Sequence, residues 1–190
     1  MSPAEAPLDP LGWVLRAVSF AAVKHQGQRR KSAGDVPYIN HPVAVAETVR
    51  NVGGVEALEV ILAALLHDTL EDTATTPEEL QASFGPAVLA LVREVSDDKS
   101  LPKGERKRLQ IVHAPHKSWG ARAVKLADMS CNIGDMIQSP PVGWSMERQR
   151  EYLEWCAQVL DGLRGDHPRL ERLLEQRLAE AGEKLAAAGA

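Results

Sequence analysis

The stretch EALEVILAALLHDTLED, residues 56–72, contains the longest apolar run of the chain and, directly after it, a cluster of polar residues. Its first part, from residue 56 to about 68, is predicted to be a helix whose apolar residues occupy nearly every side. A helix that is apolar almost all round lies in the middle of a bundle, because only other helices can cover it. The polar residues that follow therefore leave the core of the protein at this point.

Helical patterns continue on both sides of this central helix. An apolar stripe from residue 11 to 22 follows Pro10, and a second helix begins at Pro42 and stops at Gly53 and Gly54. The remaining predicted helices cover residues 77–85, 86–95, 103–112, 121–137, 146–163 and 168–185. No alternation of period two is long enough for a strand, and no internal repeat is present. The sequence predicts an all-α fold, a helical bundle of about eight to ten helices.

Length and composition are those of a single globular domain. The chain has 190 residues, of which 44% are hydrophobic and 25% charged, and these values exclude a disordered chain, a collagen-like chain and a coiled-coil rod. We expect one domain over residues 1–190, with its core at about 10–175 and frayed termini.

Charge and targeting signals exclude several locations and partners. The net charge of −4 argues against electrostatic binding of nucleic acid. The N-terminus has neither the basic start nor the apolar run of a signal peptide. The longest apolar run, residues 60–66, is far shorter than the roughly 20 residues of a membrane helix. Cys131 and Cys156 fit small buried thiols in a reducing compartment. We expect a cytoplasmic protein, and a homo-oligomer is left open.

Four polar side chains follow the central helix. His67 and Asp68 come first, and Glu71 and Asp72 lie one turn later, so a continuous helix would place all four on one side of its end. Such groups are costly to bury without a cation, and an imidazole with carboxylates is the ligand set of a divalent metal. A solvated acidic helix end explains the same residues equally well.

A second polar group lies on the predicted helix 121–137. Asp128, Asn132 and Asp135 are spaced at i, i+4 and i+7 and so share one helix face in an apolar neighbourhood. An inward carboxylate requires a metal or another cation, and Lys125 offers a salt bridge as the alternative. His41, at the start of the second helix, is by itself more often a cap or a packed ring than a ligand.

Two basic segments offer contacts for phosphate. The loop Arg29-Arg30-Lys31-Ser32 supplies guanidinium, ammonium and hydroxyl groups, although a solvated charged loop is the simpler interpretation. The predicted helix at residues 103–108 is very basic, and we expect it to be solvated surface.

The order of His41, His67-Asp68 and Asp128 resembles the H…HD…D pattern of the HD-domain metal-dependent phosphohydrolases. More narrowly, the chain resembles the hydrolase half of the RelA/SpoT alarmone proteins and, most of all, the stand-alone Mesh1-type small alarmone hydrolases. The matching blocks are QRRK (28–31), PYINHP (37–42), AALLHDT (63–69), EDT (71–73), DDK (97–99), ERK (105–107), KLAD (125–128) and GWS (143–145). The likeness extends from about residue 10 to 175.

The resemblance implies an all-α HD domain that removes the 3′-pyrophosphate from ppGpp or pppGpp and leaves GDP or GTP. It implies one Mn²⁺ ion per chain, and such a mixed nitrogen and oxygen site suits Mn²⁺ better than a closed tetrahedral zinc site. The implied metal ligands are His41, His67, Asp68 and Asp128, and the implied catalytic pair is Glu71 and Asp72, which positions or deprotonates the attacking water. The implied substrate contacts are Arg30, Lys31, Ser32, Lys99, Asn132, Trp144, Arg148 and Tyr152.

Two alternatives remain. Mesh1-type relatives have been linked to removal of the 2′-phosphate of NADPH, so another phosphorylated nucleotide is a candidate substrate. An inactive alarmone-binding protein is disfavoured because all six metal-ligand and catalytic positions are intact. The chain also departs from many relatives at Met129, where they carry a basic residue, and this bears on the fit of the nucleotide.

Overall fold

The fold is known from a computed structural model that describes residues 9–32 and 34–189. The α-helices within these residues are α1 Pro10–Lys24, α2 Asn40–Glu47, α3 Leu58–Leu66, α4 Thr69–Asp72, α5 Pro77–Val95, α6 Lys103–His113, α7 Trp119–Gln138, α8 Met146–Leu163 and α9 Pro168–Ala188. A π-helical turn, Thr48–Val52, extends α2, and a 3-10 turn, Ala114–His116, follows α6. The described residues contain no strand, only an isolated bridge between Arg29 and Pro37. The predicted all-α fold is confirmed.

Side-chain caps fix where several helices begin. Asp9 accepts a hydrogen bond from the backbone N of Gly12 at the start of α1. Thr76, Ser118 and Ser145 cap α5, α7 and α8 in the same way. Each cap satisfies a backbone N–H that has no partner within the first turn of its helix. These caps explain why the predicted and observed starts agree at α1, α5 and α8.

The central position of α3 is confirmed. Six of its residues, Val60 and Leu62 to Leu66, are buried, and the helix packs against α1, α2, α5 and α7. The second central helix is α7, which packs against α2, α3, α5, α8 and α9. Gly120 permits its close approach to α3, since an added Cβ would lie 2.8 Å from Cγ2 of Val60. Both helices that carry the candidate polar groups therefore meet in the core.

The helix predicted to end at about residue 68 ends at Leu66, so the condition of one continuous helix through all four polar residues is not met. The Thr69 hydroxyl donates to the carbonyl of Leu66 at 2.6 Å, and His67 Nδ1 bonds the carbonyl of Ala64 at 2.8 Å. These side chains occupy the carbonyls at the helix end and compete with the backbone ladder. His67 and Asp68 consequently lie in a turn between α3 and α4.

The middle of α5 and the end of α9 also differ in detail from the sequence pattern. Gly85 has φ +86° and separates two helical runs inside α5, which accounts for the two helices expected at residues 77–95. Helix α9 continues to Ala188, past its predicted end at residue 185, with Ala181 and Leu185 buried. Fraying predicted before residue 9 lies outside the described residues. Within the described part of the chain, no helix has the length and apolarity needed to cross a membrane.

Candidate active site

A cavity of about 830 Å³ opens where α6, α7 and α8 face the segment before α2 and the turn after α3. It takes residues from separate parts of the chain: Arg30, Asp68, Lys99, Asp128 and Arg148 are examples. Every residue predicted to hold a metal, act in catalysis or contact substrate lines this cavity, except His67. His67 is buried next to Asp68.

Four side chains, His41, His67, Asp68 and Asp128, meet at one place and form what we call the metal centre. Ligand atoms of His41, His67 and Asp128 all lie within 4.8 Å of one another. Nε2 of His41 is 3.1 Å from Oδ1 of Asp128, and Nε2 of His67 is 3.0 Å from Oδ2 of Asp68. All four are buried or nearly so, and they come from α2, α7 and the turn after α3.

Surrounding hydrogen bonds orient these ligands. His67 uses Nδ1 on the carbonyl of Ala64, which leaves Nε2 facing the carboxylates. Tyr38 donates its hydroxyl to Oδ2 of Asp68 at 2.6 Å, and Asn132 donates to Oδ1 of Asp128 at 2.6 Å. Outer partners of this kind set the tautomer and direction of metal ligands.

The predicted alternative for Asp128, a salt bridge to Lys125, is present together with the histidine contacts. Nζ of Lys125 lies 3.3 Å from Oδ2 of Asp128, while Oδ1 of the same carboxylate faces His41. The lysine is itself buried. Its positive charge is therefore little screened by water and neutralises part of the negative charge of Asp128. One carboxylate oxygen is thus held by Lys125, and the other faces the metal centre.

The electrostatics of the metal centre favour a bound cation. Burial opposes the charged form of His67, but Asp68 and Asp128 raise its pKa to about 9. Burial likewise opposes the charged form of Asp128, yet Lys125 and the two histidines hold its pKa well below the usual range. His67 is buried, and its Nε2 faces Oδ2 of Asp68 at 3.0 Å and Oδ1 of Asp128 at 3.7 Å. Two imidazoles and two carboxylates around this point fit a divalent metal ion.

The carboxylates of Glu71 and Asp72 lie next to the metal centre on α4. Glu71 Oε2 accepts a hydrogen bond from the backbone N of Asp97 at 3.0 Å, and Asp72 forms an ion pair with Lys99. Burial, followed by the nearby Asp97, Asp72 and Asp68, raises the pKa of Glu71 above its usual value. A carboxylate with a raised pKa is a better proton acceptor, which suits a general base.

Arg30 closes the loop before α2 onto α7. Its Nη2 donates to Oδ1 of Asn132 at 2.6 Å and to Oδ2 of Asp135 at 2.8 Å. Its guanidinium also lies 5.5 Å from the centre of the Tyr38 ring. Arg30 therefore connects to the metal centre by two routes, through Asn132 to Asp128 and through Tyr38 to Asp68.

Aromatic side chains of α8 and the loop before it also line the cavity. The ring centres of Trp144 and Tyr152 are 5.4 Å apart, and the Arg148 guanidinium lies 4.5 Å from the Trp144 ring. Lys107 of α6 lies 5.2 Å from the ring of Trp155. Cation–π contacts hold these cations at the cavity edge.

The expectation that the basic helix 103–108 is solvated surface is wrong for its inner side. Lys103, Arg106, Lys107 and Gln110 line the cavity, whereas Arg108 is exposed and pairs with Glu105. The spacing of 103, 106, 107 and 110 marks one helix face and was the available signal. Hydrophobic periodicity missed it because α6 contains no buried residue.

Cations from four segments form what we call the basic wall of the cavity: Arg30, Lys31, Lys99, Lys103 and Arg148. All except Arg30 are exposed residues. Residue patterns alone indicate no role for Lys103 or for Tyr38. Asp97 was also missed, since its contact with Glu71 is made by the backbone and no residue pattern encodes it.

Comparisons with known proteins agree with this geometry. The HD domain family profile matches residues 17–133. A Danio rerio protein named guanosine-3′,5′-bis(diphosphate) 3′-pyrophosphohydrolase MESH1 is 51% identical over 172 residues, which cover 90% of this chain and 96% of that protein. The Homo sapiens protein of the same name is 50% identical over 169 residues, covering 89% of this chain and 94% of its own.

A solved structure is similar over nearly the whole chain. It is described as a metazoan ortholog of SpoT that hydrolyzes ppGpp and plays a role in starvation responses. The TM-score is 0.87 at 41% sequence identity, and the match covers 94% of this chain and 99% of that one.

Proposed function

This chain belongs to the HD domain family and, within it, to the Mesh1-type alarmone hydrolases, and we propose on that basis that it hydrolyses ppGpp or pppGpp. The products are GDP or GTP and pyrophosphate. The observation that carries the proposal is the shared cavity, where the metal centre and the Glu71–Asp72 pair adjoin the basic wall. In a chain of net charge −4, such a concentration of cations matches a substrate rich in phosphate.

The proposed cofactor is one Mn²⁺ ion held by His41, His67, Asp68 and Asp128. Support comes from the mixed set of two nitrogen and two oxygen ligands, which suits a hard cation with room for further oxygen ligands. When bound, such an ion supplies positive charge that makes a water molecule easier to deprotonate and a phosphoryl group easier to attack.

The proposed catalytic pair handles the proton of the attacking water. Glu71, whose pKa is raised, accepts that proton as the water oxygen forms a bond to the phosphorus nearest the ribose 3′-oxygen. The bond between this phosphorus and the 3′-oxygen breaks, the 3′-oxygen takes up a proton from solvent, and Glu71 then releases its proton to solvent. Asp72 is held by Lys99 beside Glu71, which keeps both carboxylates at the cavity.

The proposed substrate contacts follow the charge and shape of the cavity. Arg30, fixed against Asn132, offers its flat guanidinium to the guanine base. Asn132 contacts the ribose, and Lys99 and Arg148 contact the phosphates. Lys31 and Ser32 add polar contacts in the same loop as Arg30, while the paired rings of Trp144 and Tyr152 line the cavity.

Product analysis tests the proposed function. Metal-free protein is incubated with ppGpp, with and without Mn²⁺, and the nucleotides are separated by ion-exchange chromatography. We expect GDP and pyrophosphate in equal amounts, and only with Mn²⁺. Removal of phosphate from the 2′ position of NADPH, with no turnover of ppGpp, would replace the proposal with the alternative substrate.

A reducing compartment such as the cytoplasm is the location we propose. Cys131 and Cys156 are free thiols. Burial raises the pKa of Cys131 to about 11 and that of Cys156 to about 12. Both therefore remain protonated at neutral pH and are poor nucleophiles, which is consistent with a structural role in a reducing environment.

A further inference from the structure

The inner face of α6 contacts the candidate general base through one arginine. Nη1 of Arg106 lies 3.7 Å from Oε1 of Glu71 and 3.6 Å from Oδ2 of Asp97. The Arg106 side chain is only 23% exposed, and those of Glu71 and Asp97 are 18% and 16% exposed. An ion pair that is largely shielded from solvent constrains the positions of its side chains more than a solvated surface pair does.

Asp97 is in turn held by the next turn of the same helix. Nε2 of Gln110, four residues after Arg106, donates to both carboxylate oxygens of Asp97 at 2.9 and 2.8 Å. The backbone N of Asp97 donates to Glu71 at 3.0 Å. Arg106 and Gln110 thus fix Asp97 from one helix face, and Asp97 fixes Glu71 through its backbone.

This arrangement answers an electrostatic need. Glu71 faces three other carboxylates, Asp68, Asp72 and Asp97, which all disfavour its charged form. The cations within 4 Å of Glu71 in the described structure are Lys99 and Arg106. Lys99 is half exposed and is already paired closely with Asp72, so the better fixed partner of Glu71 is Arg106.

We propose that α6 supports the catalytic pair, with Arg106 as a positioning residue that holds Glu71 directly and through Asp97. Gln110 completes this support by fixing the Asp97 side chain. The inference rests on the proposed function, since it assigns Arg106 to the base of that reaction. It differs from the obvious alternative, in which an arginine in a phosphate-binding cavity contacts the substrate itself.

The two roles predict different kinetic changes. Loss of a positioning residue lowers kcat and leaves KM nearly constant, whereas loss of a substrate contact raises KM. Small displacements of a catalytic group cost up to about a hundredfold in rate, so we expect R106M to lower kcat roughly 10- to 100-fold. KM should stay within about threefold, because substrate binding is left intact.

The experiment measures kcat and KM for ppGpp with Mn²⁺ in wild type, R106M, R106K, Q110M and the control R108M. R106K keeps the charge and should recover part of the lost kcat. Q110M should lower kcat in the same direction by a smaller factor, without raising KM. Arg108 is exposed on the same helix and, among the described residues, pairs only with Glu105, so R108M should match wild type.

Each outcome decides the inference. A raised KM with unchanged kcat in R106M, or an equal loss in R108M, would overturn the positioning role. If R106M fails to fold by thermal unfolding, Q110M and R106K decide by the same split of kcat and KM. Failure of the proposed function is distinguishable, because wild type would then release no pyrophosphate; the role of Arg106 would fall with it.

Discussion

The metal centre and the basic wall face the same cavity but are built in opposite ways. The metal centre consists of buried side chains that bond one another and their neighbours, as in the contact of Tyr38 with Asp68. The basic wall consists of long side chains that are mostly exposed, such as Lys31, Lys103 and Arg148. A buried charge without its partner is costly, whereas an exposed cation is solvated wherever it points. Changes to the metal centre should therefore abolish function, and changes to the basic wall should tune it.

The largest effect is expected from H67A. The substitution removes an imidazole that we propose as a metal ligand, and whose Nε2 lies 3.0 Å from Asp68, so we expect loss of Mn²⁺ binding and of turnover together. Isothermal titration calorimetry with Mn²⁺ and a pyrophosphate-release assay measure the two. The control is H116A, at an exposed histidine outside the cavity. Full activity of H67A would exclude His67 as a ligand.

The next effect is expected from E71Q. The amide cannot accept a proton from water, so kcat should fall about 10²- to 10⁴-fold. Mn²⁺ affinity should remain near that of wild type, because Glu71 lies beside the metal centre and not in it. E78Q, at an exposed glutamate of α5, is the matched control. A kcat within threefold of wild type would remove Glu71 from its assigned role.

Y38F tests the outer contacts of the metal centre. Removal of the hydroxyl leaves Asp68 without a hydrogen bond of 2.6 Å, and losses of outer partners typically weaken metal binding by roughly 10- to 100-fold. Calorimetric titration with Mn²⁺ measures the dissociation constant directly. An unchanged constant would mean that Asp68 is oriented by its other neighbours.

R30A probes the basic wall. Because Arg30 is proposed to contact the base and not the reacting atoms, we expect a KM raised about tenfold and a smaller change in kcat. R50A removes an exposed arginine outside the cavity and serves as control. If KM for ppGpp does not change in R30A, the loop does not bind the nucleotide.

The smallest effect concerns the pH dependence of the metal-free protein. Folding raises the pKa of His67 from 6.5 to about 9, so the folded state binds more protons than the unfolded chain between these values. The stabilisation from His67 is complete below pH 6.5 and is lost as the pH rises through 9. Urea midpoints measured from pH 6 to 9.5 should fall more steeply for wild type than for H67Q. Identical slopes in the two proteins would contradict the raised pKa.

The sequence predicted those parts of the fold that depend on local signals. The bounds of α8 were predicted as residues 146–163, because Ser145 caps its start and an apolar stripe runs through it. The end of α3 was predicted at about residue 68, two residues past Leu66, because the observed end depends on the hydroxyl of Thr69 competing for the carbonyl of Leu66. Such competition between a side chain and the backbone depends on the surrounding structure.

In the candidate site, too, some residues follow from the sequence pattern and others depend on the surrounding structure. The ligands of the metal centre follow from residue types in a fixed order, and the structure brings all four together. The roles of individual substrate contacts stay predictions. The inner face of α6 was missed because the side chains on that face, Lys103, Arg106, Lys107 and Gln110, are all polar. No apolar stripe marks this face as the one that is turned toward the protein.

The most direct test of the proposed reaction is hydrolysis of ppGpp in water labelled with ¹⁸O. The wild-type protein with Mn²⁺ should place the label in pyrophosphate and leave GDP unlabelled, because the water oxygen bonds to phosphorus and the 3′-oxygen stays with the ribose. E71Q should give the same labelling pattern at a much lower rate. Label in the ribose of GDP, or release of single phosphates in place of pyrophosphate, would contradict the proposed reaction at this site.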